Sequence, residues 1–162
     1  MSSTRKKKNK DSEAENRRHL AATLAQLELK TGLLERKDTP QNRRGLRSEC
    51  AELYTKLCEG LGALGDHELA LKHALRALEA RRCLLSDSKS TEDELEAANA
   101  EFQVAECYSQ LSLLVAGYER KALAHHLNAL DLRQRSCLSS LNGLFELAHS
   151  MEAVGATYSA LG

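Results

Sequence analysis

Gly60-Leu-Gly62-Ala-Leu-Gly65 satisfies the G-x-G-x-x-G spacing with which a backbone closes on a dinucleotide pyrophosphate. That chemistry requires a strand before the glycines and a helix after them, so that phosphate meets free amides at the helix start. The preceding residues, AELYTKLCE, read as helix, so the glycines are assigned to packing at the tapering end of a helix. His125 and His126 are the next candidates. Neighbours on a helix point about 100° apart and cannot both ligate one ion from that helix. His73 is a third imidazole that could approach His125, but no carboxylate or thiol stands at i+4 spacing to complete a metal shell. The five cysteines, at 50, 58, 83, 107 and 137, form no C-x-x-C pair and each sits in a helical pattern beside Leu or Ala. They are expected as buried reduced thiols, which fits a reducing compartment. No nucleophile, base and orienting acid make a recognisable motif, so no enzyme, cofactor or metal is expected.

Charge is balanced overall, 23 basic residues against 23 acidic. The chain as a whole therefore has no strong electrostatic preference for nucleic acid or membrane, and no sequence-specific nucleic-acid reading is expected. Arg5, Lys6, Lys7, Lys8 and Lys10 form the exception, a basic run without an acid or an apolar residue. It reads as a solvated tail, as a nuclear import signal, or as a nonspecific nucleic-acid contact. A secretory apolar region is absent, as is any apolar stretch near the roughly 18 residues of a membrane span, so a soluble intracellular protein is expected.

The elements that carry these residues follow from composition. Leu and Ala number 30 and 22 of 162 residues, against three Val, two Phe, no Ile and no Trp. Strands need the β-branched and aromatic residues that are missing, so the fold is expected to be all-α. Residues 1–11 are expected to be a disordered basic tail and 12–162 one helical domain. A first helix is placed from Asp11 or Ser12 to about Glu35, with Leu20, Leu24, Leu27 and Thr31 on one face, and Lys37 to Asn42 as a turn around Pro40. A second helix, about 44–64, carries Cys50, Leu53, Tyr54, Leu57, Leu61 and Leu64, ends at Gly65, and hands over to a helix capped by Asp66. Ala70 and Ala77 on that next helix permit close helix approach. The polar stretch between Leu85 and Leu95 reads as an extended connection, with a capping box at Thr91 and Glu94. Helices at about 92–115, 119–137 and 144–160 follow, the last presenting Leu147, Met151, Val154, Tyr158 and Leu161.

A register recurs along this series. Leu57, Cys58, Leu61, Gly65, Ala70, Leu71, Ala77 and Leu78 return as Leu111, Ser112, Val115, Gly117, Ala122, Leu123, Ala129 and Leu130. A third start is Val154, Gly155, Tyr158, Leu161 and Gly162. The pattern resembles the tetratricopeptide repeat (TPR) superfamily over roughly residues 47–162, departing from it at Cys58 and Ser112 and in a second corner about two residues shorter. The resemblance implies an α-solenoid of antiparallel hairpins, about two and a half repeats behind an extra N-terminal helix and incomplete at its C-terminal end. Within the superfamily, Ala122-Leu123, His125-His126, Leu130, Leu132, Ser136, Glu146, Ala148 and Gly155-x-Thr157-Tyr158 are similar to the N-terminal array of the Tonsoku-like family. That similarity implies a nuclear scaffold in replication-fork recovery and repair of broken DNA. Pins-type adaptors share similar corners, and the alternative they imply is a cytoplasmic adaptor of the Pins or kinesin-light-chain type in polarity or transport.

The resemblance also implies a site, the inner groove lined by the first helix of each hairpin. Carried over through Leu57, Leu111 and Val154, the groove comprises Glu52, Thr55, Lys56 and Glu59, then Glu106, Ser109, Gln110 and Leu113, then His149 and Glu152. A glutamate repeats at one place in each unit. Such carboxylates either lie on a solvated helix face or focus negative potential for a basic peptide or basic protein surface, such as a histone-associated factor. Glu59 would repel a terminal carboxylate, which disfavours clamping of a chaperone's acidic tail. The last helix, lacking a partner for Val154, Tyr158 and Leu161, is a candidate for self-association.

Overall fold

The computed structural model describes the backbone of residues 3–36, 39–88, 90–136 and 141–162, and side chains from Ser12 onward, excluding Leu141 and Asn142, within those ranges. Among the described residues the chain is all-helical. Its six helices are α1 (Ser3–Leu34), α2 (Pro40–Ala63), α3 (His67–Ser88), α4 (Thr91–Ser112), α5 (Glu119–Ser136) and α6 (Leu141–Ala160). Each packs principally on its neighbours in sequence, α1 on α2 through α5 on α6.

Small residues set the closeness of those contacts. Ala70, Ala74 and Ala77 of α3 and Ala122 and Ala129 of α5 are almost completely buried. Cys58, Leu78, Ala100, Val104 and Cys107 join Ala70 and Ala74 in one core between α2, α3 and α4. Leu20 and Leu27 of α1 meet Cys50, Leu53 and Leu57 of α2 in a second. Gly60 explains part of the glycine pattern: a Cβ there would stand 2.6 Å from Leu20 Cδ2. These glycines lie within or just beyond α2, and no strand precedes them.

The corner after α2 has the expected chemistry. The Gly65 N–H donates to Gly62 O at 3.0 Å and the Asp66 N–H to Leu61 O at 3.0 Å, the paired closure of a glycine-terminated helix, with Gly65 at φ 81°. The Asp66 carboxylate then accepts from the Leu69 N–H at 3.3 Å and caps α3.

Elsewhere the boundaries differ from the sequence reading. Backbone helix extends to Ser3, so the basic run lies on α1 and not ahead of it; its side chains are outside the described residues. Lys and Arg propagate a helix already nucleated downstream at little cost. Pro40 is the first residue of α2, not the middle of a turn, because Thr39 caps the helix and Pro suits a position with no amide to satisfy. The polar stretch after Leu85 is mostly helix: α3 runs to Ser88 and α4 begins at Thr91, capped by Ser90 and not by Thr91. Arg44 of α2 supplies the reason, donating to Leu84 O at 3.2 Å and Ser88 Oγ at 3.3 Å at the carbonyl end of α3. The long spacing between repeated residues therefore comes from long helices. α4 stops at Ser112, three residues early, where the Ser112 hydroxyl bonds back to Ser109 O at 2.7 Å. The second corner, residues 113–118, is thus longer than the first, residues 64–66. It leaves Leu113, Leu114 and Val115 exposed. α6 starts at Leu141, ahead of the expected 144.

Candidate binding groove

Helices α2 and α4 each pack on α3 between them, and the space left between their polar flanks is a cleft. Glu52, Thr55, Lys56 and Glu59, spaced three and four apart along one flank of α2, line it on one side. Glu96, Asn99, Ala100 and Gln103, at the same spacing on α4, face them, and Arg81 of α3 forms the floor, enclosing about 410 Å³. The cleft continues past Glu52, Arg81 and Glu96 into a second space of about 330 Å³ bounded by Gln41, Arg44, Glu92 and Asp93.

Its charges are partly neutralised in place. Arg44 bonds Asp93 at 2.7 Å and Arg81 bonds Glu96 at 3.0 Å. Burial opposes ionisation of Asp93, yet hydrogen bonds from Ser88, Ser90 and Arg44 overcome it and hold the carboxyl below its ordinary value. Glu52, Glu59 and Glu92 remain against Lys56, so the groove is left with net negative charge. Its chemistry suits a cationic ligand.

The second set of groove residues turns away from this cleft, toward α5 and α6. Glu106 stands 3.6 Å from His126 Nε2, and burial raises its carboxyl while the nearby His149 opposes that rise. His149 packs on the Phe102 ring at 4.8 Å between centroids. Ser109 is half-buried, Gln110 and Glu152 are exposed, and Leu113 lies beyond the end of α4, 78% exposed. Of the residues carried over through the register, those on α2 line this cleft and those on α4 and α6 do not. The opposing flank, Glu96 to Gln103, went unread because α4 packs on α3 as well as on α5.

Two polar junctions were also missed. Glu101 of α4, 3% exposed, accepts from Arg82 Nε at 3.0 Å and pairs with His125 Nδ1 at 2.7 Å. Burial alone would raise this carboxyl, but those partners lower it. Arg133 of α5 donates to Asn99 Oδ1 at 2.9 Å, Glu146 O at 3.0 Å and Ser150 Oγ at 2.6 Å, and stacks on Phe102 at 4.8 Å. His126, 1% exposed, meets the same ring edge-on at 5.1 Å. Burial pushes its imidazole down to about 4.

His73, His125 and His126 each lie against an aromatic ring. His73 stacks on Tyr54 at 5.9 Å and His125 on Tyr108 at 5.6 Å, the same pair in each hairpin. Among the described residues no group of three metal-ligand side chains forms, and no helix is long and apolar enough to cross a membrane. Cys50, Cys58 and Cys107 are buried free thiols, Cys83 is exposed on α3 contrary to expectation, and Cys137 lies outside the described residues. Cys83 is exposed because it follows Arg82 on the outward flank, while Leu84 takes the buried place. Comparison with family models, curated proteins and solved structures finds no match to this chain.

Proposed function

We propose that the chain is a non-catalytic protein-interaction scaffold, a TPR-type α-solenoid that takes a basic segment of a partner protein into the groove between α2 and α4. The observation that carries this reading is the cleft itself, in which the four α2 residues expected from the repeat register stand together with an excess of carboxylate. Recurrence of side-chain contacts supports the solenoid. Arg81 ties its hairpin to Glu96 of the following inner helix and to Ser48 behind it, and Arg133, 52 residues later, ties α5 to α6 and back to Asn99. Each outer helix thus pins the next inner helix with one arginine.

The preferred setting is nuclear, a Tonsoku-like module acting in fork recovery and double-strand break repair, with the basic run at 5–10 as import signal. A tagged full chain should concentrate in nuclei and lose that preference when Lys6, Lys7 and Lys8 become Ala. Cytoplasmic retention of the unaltered chain would favour the adaptor reading instead.

The groove has its own test. A fluorescent Lys/Arg-rich dodecapeptide titrated by anisotropy should bind the full chain and lose at least tenfold in affinity with Glu52→Lys plus Glu59→Lys. Both positions are exposed, so circular dichroism should stay unchanged. Equal affinity for variant and wild type would remove the groove as the site.

A further inference from the structure

Beneath the groove, Cys58 of α2 and Cys107 of α4 place their sulfur atoms 3.5 Å apart. Both are free, and both are buried in the core that joins α2, α3 and α4. Their neighbours are apolar: Ala70, Ala74, Leu78, Ala100 and Val104, with Leu61, Leu71 and Tyr108 beside them. A disulfide needs about 2.05 Å between sulfurs, so the pair must close by about 1.5 Å. Thiol contact across two helices at that separation, with no other cysteine in the cluster, sets up one specific pairing.

We propose that Cys58 and Cys107 are an oxidative modification site, converted by a peroxide into a disulfide that fastens α2 to α4.

Two balanced steps accomplish it. The Cys107 sulfur attacks one peroxide oxygen, giving a sulfenic acid and releasing water, with the thiol proton passing to the departing oxygen. The Cys58 sulfur then attacks the sulfenic sulfur and displaces its hydroxyl, which leaves as a second water with the Cys58 proton. Overall two thiols and one hydrogen peroxide yield one disulfide and two waters. Either sulfur can donate in this contact; with Cys58 as the donor, the bond favours the anion at Cys107, which makes Cys107 the first nucleophile.

The consequence concerns the groove directly above. Cys58 immediately precedes Glu59, and Cys107 lies one helical turn beyond Gln103, so the bond would join the two walls of the cleft. α2 and α4 otherwise meet chiefly through α3, so this link would fix their separation. Whether or not the groove binds a basic segment, the chemistry of the pair stands on its own.

The test uses the reduced full chain, treated with graded hydrogen peroxide, denatured, alkylated with iodoacetamide and digested with trypsin. Cleavage after Lys56, Lys72, Lys89 and Arg120 puts Cys58 in peptide 57–72 and Cys107 in peptide 90–120. The expected product is these two peptides joined by a disulfide, with Cys50 still alkylated and the chain monomeric on non-reducing gels in a Cys83→Ser background. Exposed Cys83 of the wild type is the dose reference. If Cys83 is fully oxidised while Cys58 and Cys107 both retain the alkyl label, the proposal fails. It fails equally if Cys107 is recovered as a sulfinic acid or joined to any cysteine other than Cys58. A Cys58→Ser chain should leave Cys107 as a trappable sulfenic acid, detected with a dimedone probe.

Discussion

The hairpin of α2 with α3 and the hairpin of α4 with α5 share a register but not a chemistry. Tyr54 on His73 and Tyr108 on His125 are the same stack, and Ala70 and Ala77 correspond to Ala122 and Ala129. Midway between those alanines the first hairpin has Ala74 and the second has His126, both essentially without solvent. Arg81 keeps some exposure beside Glu96, whereas Arg133 is enclosed by Asn99, Ser150 and Phe102. Both hairpins bury alanines, and the second adds a buried imidazole and a buried arginine where the first has Ala74 and the more open Arg81. A repeat register fixes which helix faces meet, and it leaves open what chemistry fills the meeting.

Exchanging the two chemistries should produce the largest effect. Ala74→His forces a ring and an unpartnered nitrogen into a packed site, at roughly 3–5 kcal/mol. His126→Ala removes a ring whose Nδ1 has no hydrogen-bond partner among the described residues, and should cost only about 1–3 kcal/mol. Urea unfolding of the pair measures the contrast; equal costs would mean that the hairpins are packed alike.

Next in size is the arginine comparison. Arg133→Met leaves Asn99 and Ser150 without their donor and should cost about 3 kcal/mol, or roughly 6–12 °C in Tm for a chain of this size. Arg81→Met should cost about 1 kcal/mol, because its partner Glu96 is open to water.

Acid should then separate the hairpins further. His126 titrates near 4 when folded and near 6.5 when unfolded, so the unfolded chain binds the extra proton between those values. Stability is complete above about 6.5 and declines as pH falls toward 4, by on the order of 2–3 kcal/mol. His73 is lowered in the same sense. Glu106 works oppositely, since its raised carboxyl takes up protons in the folded state first. The difference between wild type and His126→Ala isolates the imidazole, and it should shrink as pH drops from 7 to 4. Glu101 and Asp93, held low, lose their contribution only at still lower pH.

The smallest effect belongs to the corners. Gly65 at φ 81° and Gly117 at φ 106° each favour glycine, so Gly65→Ala and Gly117→Ala should cost about 1 kcal/mol apiece in thermal melts.

Legibility in the sequence followed the range of the interactions. Helical class, the Gly65 corner and the alanine contacts depend on residues a few positions apart, and their pattern was visible, whereas the α2 flank of the cleft came only through the repeat resemblance. The end of α3 was not, because Ser86, Asp87 and Ser88 read as loop until Arg44, far away in sequence, reaches their carbonyl end. The adjacency of His125 and His126 did not show which of them is buried, since the contact of His126 with Phe102 comes from packing. Arg133 and Glu101 drew no reading for the same reason: their partners sit on other helices.

The central claim is that the cleft between α2 and α4 receives a cationic segment. Amide chemical-shift mapping of the full chain with the Lys/Arg-rich dodecapeptide tests it most directly. Binding in the groove predicts perturbations concentrated at 52–59 and 92–103, with α1 and the outer surface of α5 unchanged. Shifts centred on α6 or the 113–118 corner, or none at all, would contradict it.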